Sequence, residues 1–347
     1  MTDRCHWALI VVALLAFGWT LRETMPVSLP IATAFLAALA AHPVSTAVSR
    51  AVPWGGQWLG PLCATALIFL LLLLFLAGIS FAGGEVITAA PVLSSRIEEA
   101  VASGGRSLFG FSVAGPRQLE TLMRDVFGPV AHHARRTAAV VAGGSLTLVA
   151  TLFLLLLMLI EAPVWHTKLA RLSHGQVVRW EAAFEDAEIR IRRFLWTRLL
   201  LGAATALLYT AYLWLFGIDL LFTWALLALL LNFIPTIGSI IAGVLPALYA
   251  LATKDPGTAL AVAGGLLLIE QIMGNYVDPR LMGHQLALSP VIVLITLMVW
   301  GWIWGPLGAF LATPLTVLMA TLFAHSRRMR SVGMLLADTA ELGPPER

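Results

Sequence analysis

One stretch of this chain mixes charge, amide and backbone-breaking residues inside an apolar surrounding. It reads Glu270-Gln271-Ile272-Met273-Gly274-Asn275-Tyr276-Val277-Asp278-Pro279-Arg280-Leu281-Met282-Gly283. A carboxylate there can hold a proton or a cation, an amide can donate or accept, and a guanidinium can neutralise an acid or hold an anion. Burying a carboxylate at membrane depth costs about 2.5–3.5 kcal/mol on insertion scales, so a chain that keeps one has a use for it. Pro279 removes a backbone donor, and Gly274 and Gly283 loosen the helix around it.

Two chemistries fit these residues. In the first, Glu270 titrates a proton or binds a cation. Asn232, Thr236, Asn275 and carbonyls freed near Pro235 and Pro306 add the neutral oxygens that hard cations prefer, and Arg280 neutralises Asp278 or Glu270 or holds an anionic group. In the second, Asn232, Gln271, Asn275 and Tyr276 line a cavity for a small polar organic molecule, with Trp300, Trp302 and Trp304 as walls. Plainer readings compete: an aromatic belt for the tryptophans, and a solvated interfacial ion pair for Asp278-Pro279-Arg280. A third reading, from another class, is a membrane scaffold or regulator. No nucleophile–base set, metal motif or phosphate loop stands out, so neither an enzyme nor a cofactor is expected. His132-His133 lack a third ligand. Glu161, before Ala162-Pro163, and Asp219, in the Gly217–Leu220 turn, read as interfacial.

Composition places these groups in a membrane. Of 347 residues, 59% are hydrophobic and 12% charged, against about 25% charged in soluble domains. Mean hydropathy is +0.87. The net charge of +3 gives no reason to expect nucleic acid. The cysteines, Cys5 and Cys63, have no metal spacing and suggest no structural disulfide.

The elements that must position the polar stretch follow in order. Trp7–Leu21, an uncleaved first span, and Pro26–Ala41 form a predicted hairpin, and Leu62–Ala82 is a third span, so residues 1–82 are an N-terminal membrane region. Residues 83–143 carry both charges and Gly/Pro punctuation, and read as a small extramembrane helical region with amphipathic pieces such as Leu119, Leu122 and Val126. Residues 144–162 hold the fourth span, ended by Glu161-Ala162-Pro163. In residues 163–198, Val177, Trp180, Phe184, Ala187, Ile191 and Phe194 step by three and four, the stripe of an amphipathic helix. Lys168, Arg171, Arg179, Arg190, Arg192, Arg193 and Arg198 place it in the cytoplasm. Both termini are then cytoplasmic and residues 83–143 outside. Residues 199–325 form a C-terminal transport core, and 326–347 a tail that reads as disordered.

Two apolar blocks in that core, 222–251 and 289–325, are too long for one untilted crossing, because a 30 Å core needs roughly 20 residues. The first is broken at Pro235 and Gly238, then Pro246. The second is broken at Gly305, Pro306 and Gly308, then Pro314. Paired Pro/Gly-interrupted segments point to a transporter site, since unwound backbone survives at that depth only in protein or beside a wet cavity. Single crossings give an all-α protein of about eight transmembrane helices, with Lys254 inside. Re-entrant hairpins put Lys254 outside and Arg280 in the cytoplasm. The charge rule favours the crossings.

Residues 199–325 resemble the autoinducer-2 exporter family of PerM-like permeases. The resemblance rests on Asn232-Phe233-Ile234-Pro235, Ile237-Gly238 and Pro246, then Gln271, Asn275, Pro279-Arg280 and Met282-Gly283. Leu288, Pro290, Gly305, Gly308 and Pro314 complete it, and the layout agrees elsewhere. The resemblance implies eight spans, a multisubunit assembly (here a homo-oligomer) and a bacterial inner membrane. It also implies either export of a small signalling furanone or exchange of sodium or lithium for protons. Many members hold an acid just before the Asn, where this chain has Met273, and Thr236 and Ser239 stand where Tyr and Pro are common.

Overall fold

The computed structural model describes residues 2–52, 56–102, 106–108, 111–114, 145–173, 180–234, 237–282 and 289–325. Its helices are α1 (Thr2–Glu23), α2 (Met25–Ala51), α3 (Gly56–Ala102), α4 (Ser145–Ser173) and α5 (Trp180–Leu215). They continue with α6 (Leu221–Leu231), α7 (Ile237–Thr253), α8 (Pro256–Ile272), α9 (Asp278–Met282) and α10 (Pro290–Ala324). A π-helical turn, Met273–Val277, joins α8 to α9. The described residues of the eight apolar segments read from the sequence fall mostly on helix, and among the described residues six helical stretches are long and apolar enough to cross a membrane. The protein is an all-α polytopic membrane protein, and about eight membrane helices fit its layout.

Three local expectations change. Helix α4 does not stop at Glu161-Ala162-Pro163 but runs to Ser173 with Pro163 inside it. A proline removes one intrahelical bond, which a long helix survives, and leaving the membrane does not require leaving the helix. The amphipathic connector and the fifth span are one 36-residue helix, α5, about 54 Å long at 1.5 Å per residue. Residues expected to open a helical extramembrane region instead extend α3 to Ala102 and form an antiparallel ribbon, Arg106–Leu108 with Phe111–Ala114. Leu108, Phe111 and Val113 are good strand formers around a glycine, which suits a hairpin. The Leu119–Val126 pieces, His132-His133, Pro235, Thr236, Gly283, Leu288 and the tail lie outside the described residues.

Chain contacts divide the protein into two units, residues 1–70, 146–195 and 283–347, and residues 71–145 and 196–282. In the first, the predicted stripe of α5 is the buried face: Ala187, Ile191 and Phe194 have almost no exposure. Ala187 and Ile191 pack with Leu29 and Leu36 of α2 and Leu315 and Leu318 of α10. Phe184 meets Phe35 edge-on at 6.3 Å. The polar side of the same helix places Glu188 3.0 Å from His42 and Asp186 3.7 Å from His325. Ala34, Ala41 and Ala64 pack with Leu155 and Leu159, small residues that let helices approach closely.

Helix α10 is bent sharply. Trp304 leaves helical geometry and Gly305 takes φ 64°, ψ −146°, a conformation open to glycine and costly with a Cβ. Gly308 then lies against the Trp300 carbonyl so closely that a Cβ there would overlap it. Residues eight apart in a straight helix are separated by about 12 Å, so the block is an elbow with arms of residues 290–303 and 306–324. Pro306 opens the second arm and Pro314 is buried within it. The three tryptophans pack locally. Trp304 donates to the Ser28 hydroxyl at 3.1 Å and lies 4.8 Å from Trp300, while Trp302 lies beside Trp19 and Arg22.

In the second unit, the apolar block 222–251 folds back on itself. Trp224 of α6 meets Tyr249 of α7 at 5.6 Å, which a straight helix would hold about 37 Å apart. At the tip, Gly238 sits against the Leu231 carbonyl, again with no room for a Cβ. The structure therefore chooses the hairpin over the single crossing for this block. The 11 residues of α6 rise only about 16 Å, too short to cross. Tyr209, Leu213, Trp224, Tyr249, Val262 and Leu266 form the core between α5, the hairpin and α8.

Candidate functional site

Helix α5, the α6–α7 hairpin and α8 enclose a cavity of about 750 Å³ lined by both charged and apolar residues. Its polar end is built where three elements meet. Arg198 of α5 pairs with Asp278 at 3.1 Å. Asn232, at the hairpin tip, donates from Nδ2 to the Arg198 carbonyl at 3.1 Å. Arg198 is 9% exposed, so this ion pair is held largely out of water, where removing one partner is costly. The other Asp278 oxygen, Oδ1, is buried and has no hydrogen-bond partner among the described residues.

Glu270 lies within one turn before the π turn and is half-buried. The hydroxyl of Tyr209, fully buried in the core, donates to it at 2.8 Å. Gln271 and Asn275 lie on an exposed part of the cavity wall, where Asn275 donates to the Gln271 side-chain oxygen. Gln271, Asn275 and Asp278 are spaced i, i+4 and i+7, one face of a helix, and the π turn between them widens that face so that Met273 and Gly274 line the cavity too; such turns cluster at functional sites. Gly274 is exposed within it, and Pro279 begins α9 without a donor for the turn above. The expected polar break is thus a widened turn in a continuous helical path, not an interruption.

Outside the cavity lining, short turns and caps hold the helix ends of this unit. The Asp219 carbonyl accepts from the Trp224 indole at 3.0 Å. Asp255 caps α8, accepting from the Thr258 backbone at 3.0 Å and from its hydroxyl. On α3, Glu85 accepts from the Thr223 hydroxyl at 2.6 Å and its backbone at 3.2 Å. It caps an α6 that has no side-chain cap of its own.

Of the residues singled out from sequence, Glu270, Asn275, Asn232, Gln271 and Asp278 all line the cavity. Arg280 does not: it is exposed, and the arginine on Asp278 is Arg198. Tyr276 is exposed and outside the lining. Thr236 and Pro235 are not among the described residues. Gly238 and Pro246 belong to the hairpin itself, and Gly305, Pro306, Gly308 and Pro314 to the elbow of the other unit. Sequence reasoning missed Ser239 as a cavity group and Tyr209 as the partner of Glu270, and read Arg198 as one basic residue of a connector. A hydroxyl-bearing aromatic deep in an apolar span was the available signal for Tyr209.

A family model described as AI-2E family transporter matches residues 8–328. The chain belongs to this family. Among relatives, the AI-2 transport protein TqsA of Escherichia coli is 34% identical over 192 residues, 54% of this chain and 56% of that one. "Putative transport protein YhhT" of the same organism is 35% identical over 126 residues, 36% of each chain. "Putative transport protein MT0215" of Mycobacterium tuberculosis is 27% identical over 352 residues, 97% of this chain and 92% of that one. The matches to the two Escherichia coli proteins thus cover about half and about a third of their lengths.

Proposed function

We propose that this chain exports a small polar organic solute through the cavity of its second unit. The observation that carries this reading is that both cavity carboxylates already hold donors from α5: Tyr209 on Glu270 and Arg198 on Asp278. A bare hard cation wants six or more oxygens and no competing donors. An organic solute can exchange hydrogen bonds with such a set. The cavity volume also falls in the range of about 300–1,000 Å³ used for small molecules. TqsA, whose name assigns it AI-2 transport, makes a small signalling molecule the first cargo to try.

Exchange of sodium or lithium for protons is the second reading, favoured by the half-buried Glu270 carboxylate in the cavity wall. Uncoupled facilitation of the solute is its limiting case. In either reading the protein is a homo-oligomer of the bacterial inner membrane with both termini cytoplasmic. The hairpin then enters from outside and its tip reaches the Arg198–Asp278 layer. Lys254 is outside and Arg280 cytoplasmic. The scaffold reading has no such cavity as its support.

Proteoliposomes with an internal pH dye test the choice, given pulses of sodium, lithium, potassium or no added cation, alongside flux of radiolabelled AI-2. Solute flux that is independent of sodium and lithium supports the first reading. Sodium- or lithium-driven proton movement abolished by Glu270→Gln, without solute flux, would replace it with exchange.

A further inference from the structure

The charges on the cavity wall do not balance. Among the described residues three charged side chains line it: Arg198, Glu270 and Asp278. Arg198 and Asp278 stand 3.1 Å apart, so at longer range their opposite charges largely cancel. Glu270 remains. It has no cationic partner among the described residues, and the group that holds it is the neutral hydroxyl of Tyr209 at 2.8 Å. Glu85, Asp219, Lys254, Asp255 and Arg280 belong to the same unit but stand outside the lining. The other lining residues are neutral and mostly apolar. A cleft with low-dielectric walls and charge of one sign focuses its field on whatever enters.

We infer that Glu270 sets the charge selectivity of the cavity: neutral and cationic solutes enter, and anions are held out. One positive side chain against two negative ones leaves the lining net negative. Arg198 does not reverse this for an anionic solute. It is engaged by Asp278, and drawing it away would strand a second carboxylate in a largely dry site, where an uncompensated charge is costly. A hydroxyl-bearing neutral solute can donate to the Glu270 carboxylate, and an ammonium can pair with it. Like charges brought together across a binding surface reject the wrong partner. The inference rests on the proposed passage of an organic solute through this cavity and adds the charge that solute can carry.

Thiol modification by charged reagents measures this field in the full-length protein, held in nanodiscs of zwitterionic phosphatidylcholine. Cys5→Ser and Cys63→Ala remove the native thiols. Gly274→Cys then places a thiol on the cavity wall, four residues after Glu270, where a Cβ meets nothing within 4 Å. Thr24→Cys, in the exposed turn between α1 and α2, is the control. Three methanethiosulfonates of similar size are compared: trimethylammonioethyl, sulfonatoethyl and the neutral hydroxyethyl. Dividing each charged rate by the neutral one removes differences in thiol exposure and reactivity. The cation-to-anion ratio at Gly274→Cys is expected to exceed that at Thr24→Cys by about tenfold, the lower end of what focused fields do to encounter rates. Glu270→Gln, which keeps an acceptor for Tyr209 without the charge, is expected to bring the ratio down to the control value. Glu270→Asp, which keeps the charge, is expected to retain most of it. The comparison of the two thiols with Glu270 in place does not depend on how either variant folds. A ratio at Gly274→Cys no higher than at Thr24→Cys, or a preference that Glu270→Gln leaves intact, would overturn the inference. Flux of radiolabelled AI-2 without that preference removes this inference and leaves the proposed function standing. The preference without solute flux keeps the charge filter and removes the proposed function.

Discussion

Tyr209 and Glu270 lie 61 residues apart in the chain and are joined by a 2.8 Å hydrogen bond in which the tyrosine hydroxyl donates. The bond ties α5 to α8 across the hairpin core and fixes where the Glu270 carboxylate points. Tyr209→Phe keeps the ring and its packing but removes the donor. It is expected to lower stability by about 1–3 kcal/mol, the cost of leaving a partly buried polar group unpartnered. Thermal unfolding in nanodiscs measures it. The double variant with Glu270→Gln should lose less than the sum of the two single losses, because the residues share one bond. Additive losses would mean that the bond does not couple the two helices.

The two bent segments make a prediction about single methyl groups. Gly238→Ala and Gly308→Ala each push a Cβ onto a carbonyl, of Leu231 and Trp300 respectively. The clash is with backbone, so nothing soft can yield. Each variant is expected to lose at least about 2 kcal/mol, the range of overpacking and strain. Gly264, in α8, meets nothing within 4 Å where a Cβ would stand. Gly264→Ala should be neutral or stabilising by about 0.5–1 kcal/mol, since alanine is the better helix former. Yield of folded protein and midpoint of unfolding rank the three. A Gly238→Ala variant as stable as Gly264→Ala would contradict the hairpin tip.

Asp255 supplies a pH-dependent contribution at the start of α8. Its carboxylate accepts from the Thr258 hydroxyl and backbone, and these bonds hold it below the usual carboxylate range. A folded value below the unfolded one means that the cap's contribution is complete above the unfolded value. It is lost as pH falls through the folded one. Asp255→Asn, which keeps a capping oxygen without the charge, should flatten the acid limb of the unfolding curve between about pH 5 and about pH 3. Identical acid limbs in the two proteins would exclude the cap as a source of that dependence.

Much of the cavity was legible in the sequence because charged side chains stand out in an apolar run. Glu270, Asp278 and Asn232 line the cavity. Gly238 and Gly305 marked where the path bends, since glycine is a residue that permits it. The direction of the bend was not legible. Thirty apolar residues fit a tilted span as well as a hairpin, and contacts such as that of Trp224 with Tyr249 separate them. Arg198 was hidden among seven basic residues that served the charge rule equally, and Tyr209 looked like any aromatic in a span. Arg280 was chosen for Asp278 because it is two residues away. In a helix such neighbours point to different sides, and the partner comes from another element.

The π turn at Met273–Val277 has a genetic consequence. A helix with one residue too many is one codon deletion away from an ordinary helix. Removing Gly274 in frame is expected to restore regular winding and leave Asp278 beside Arg198, because the widened turn had absorbed the extra residue.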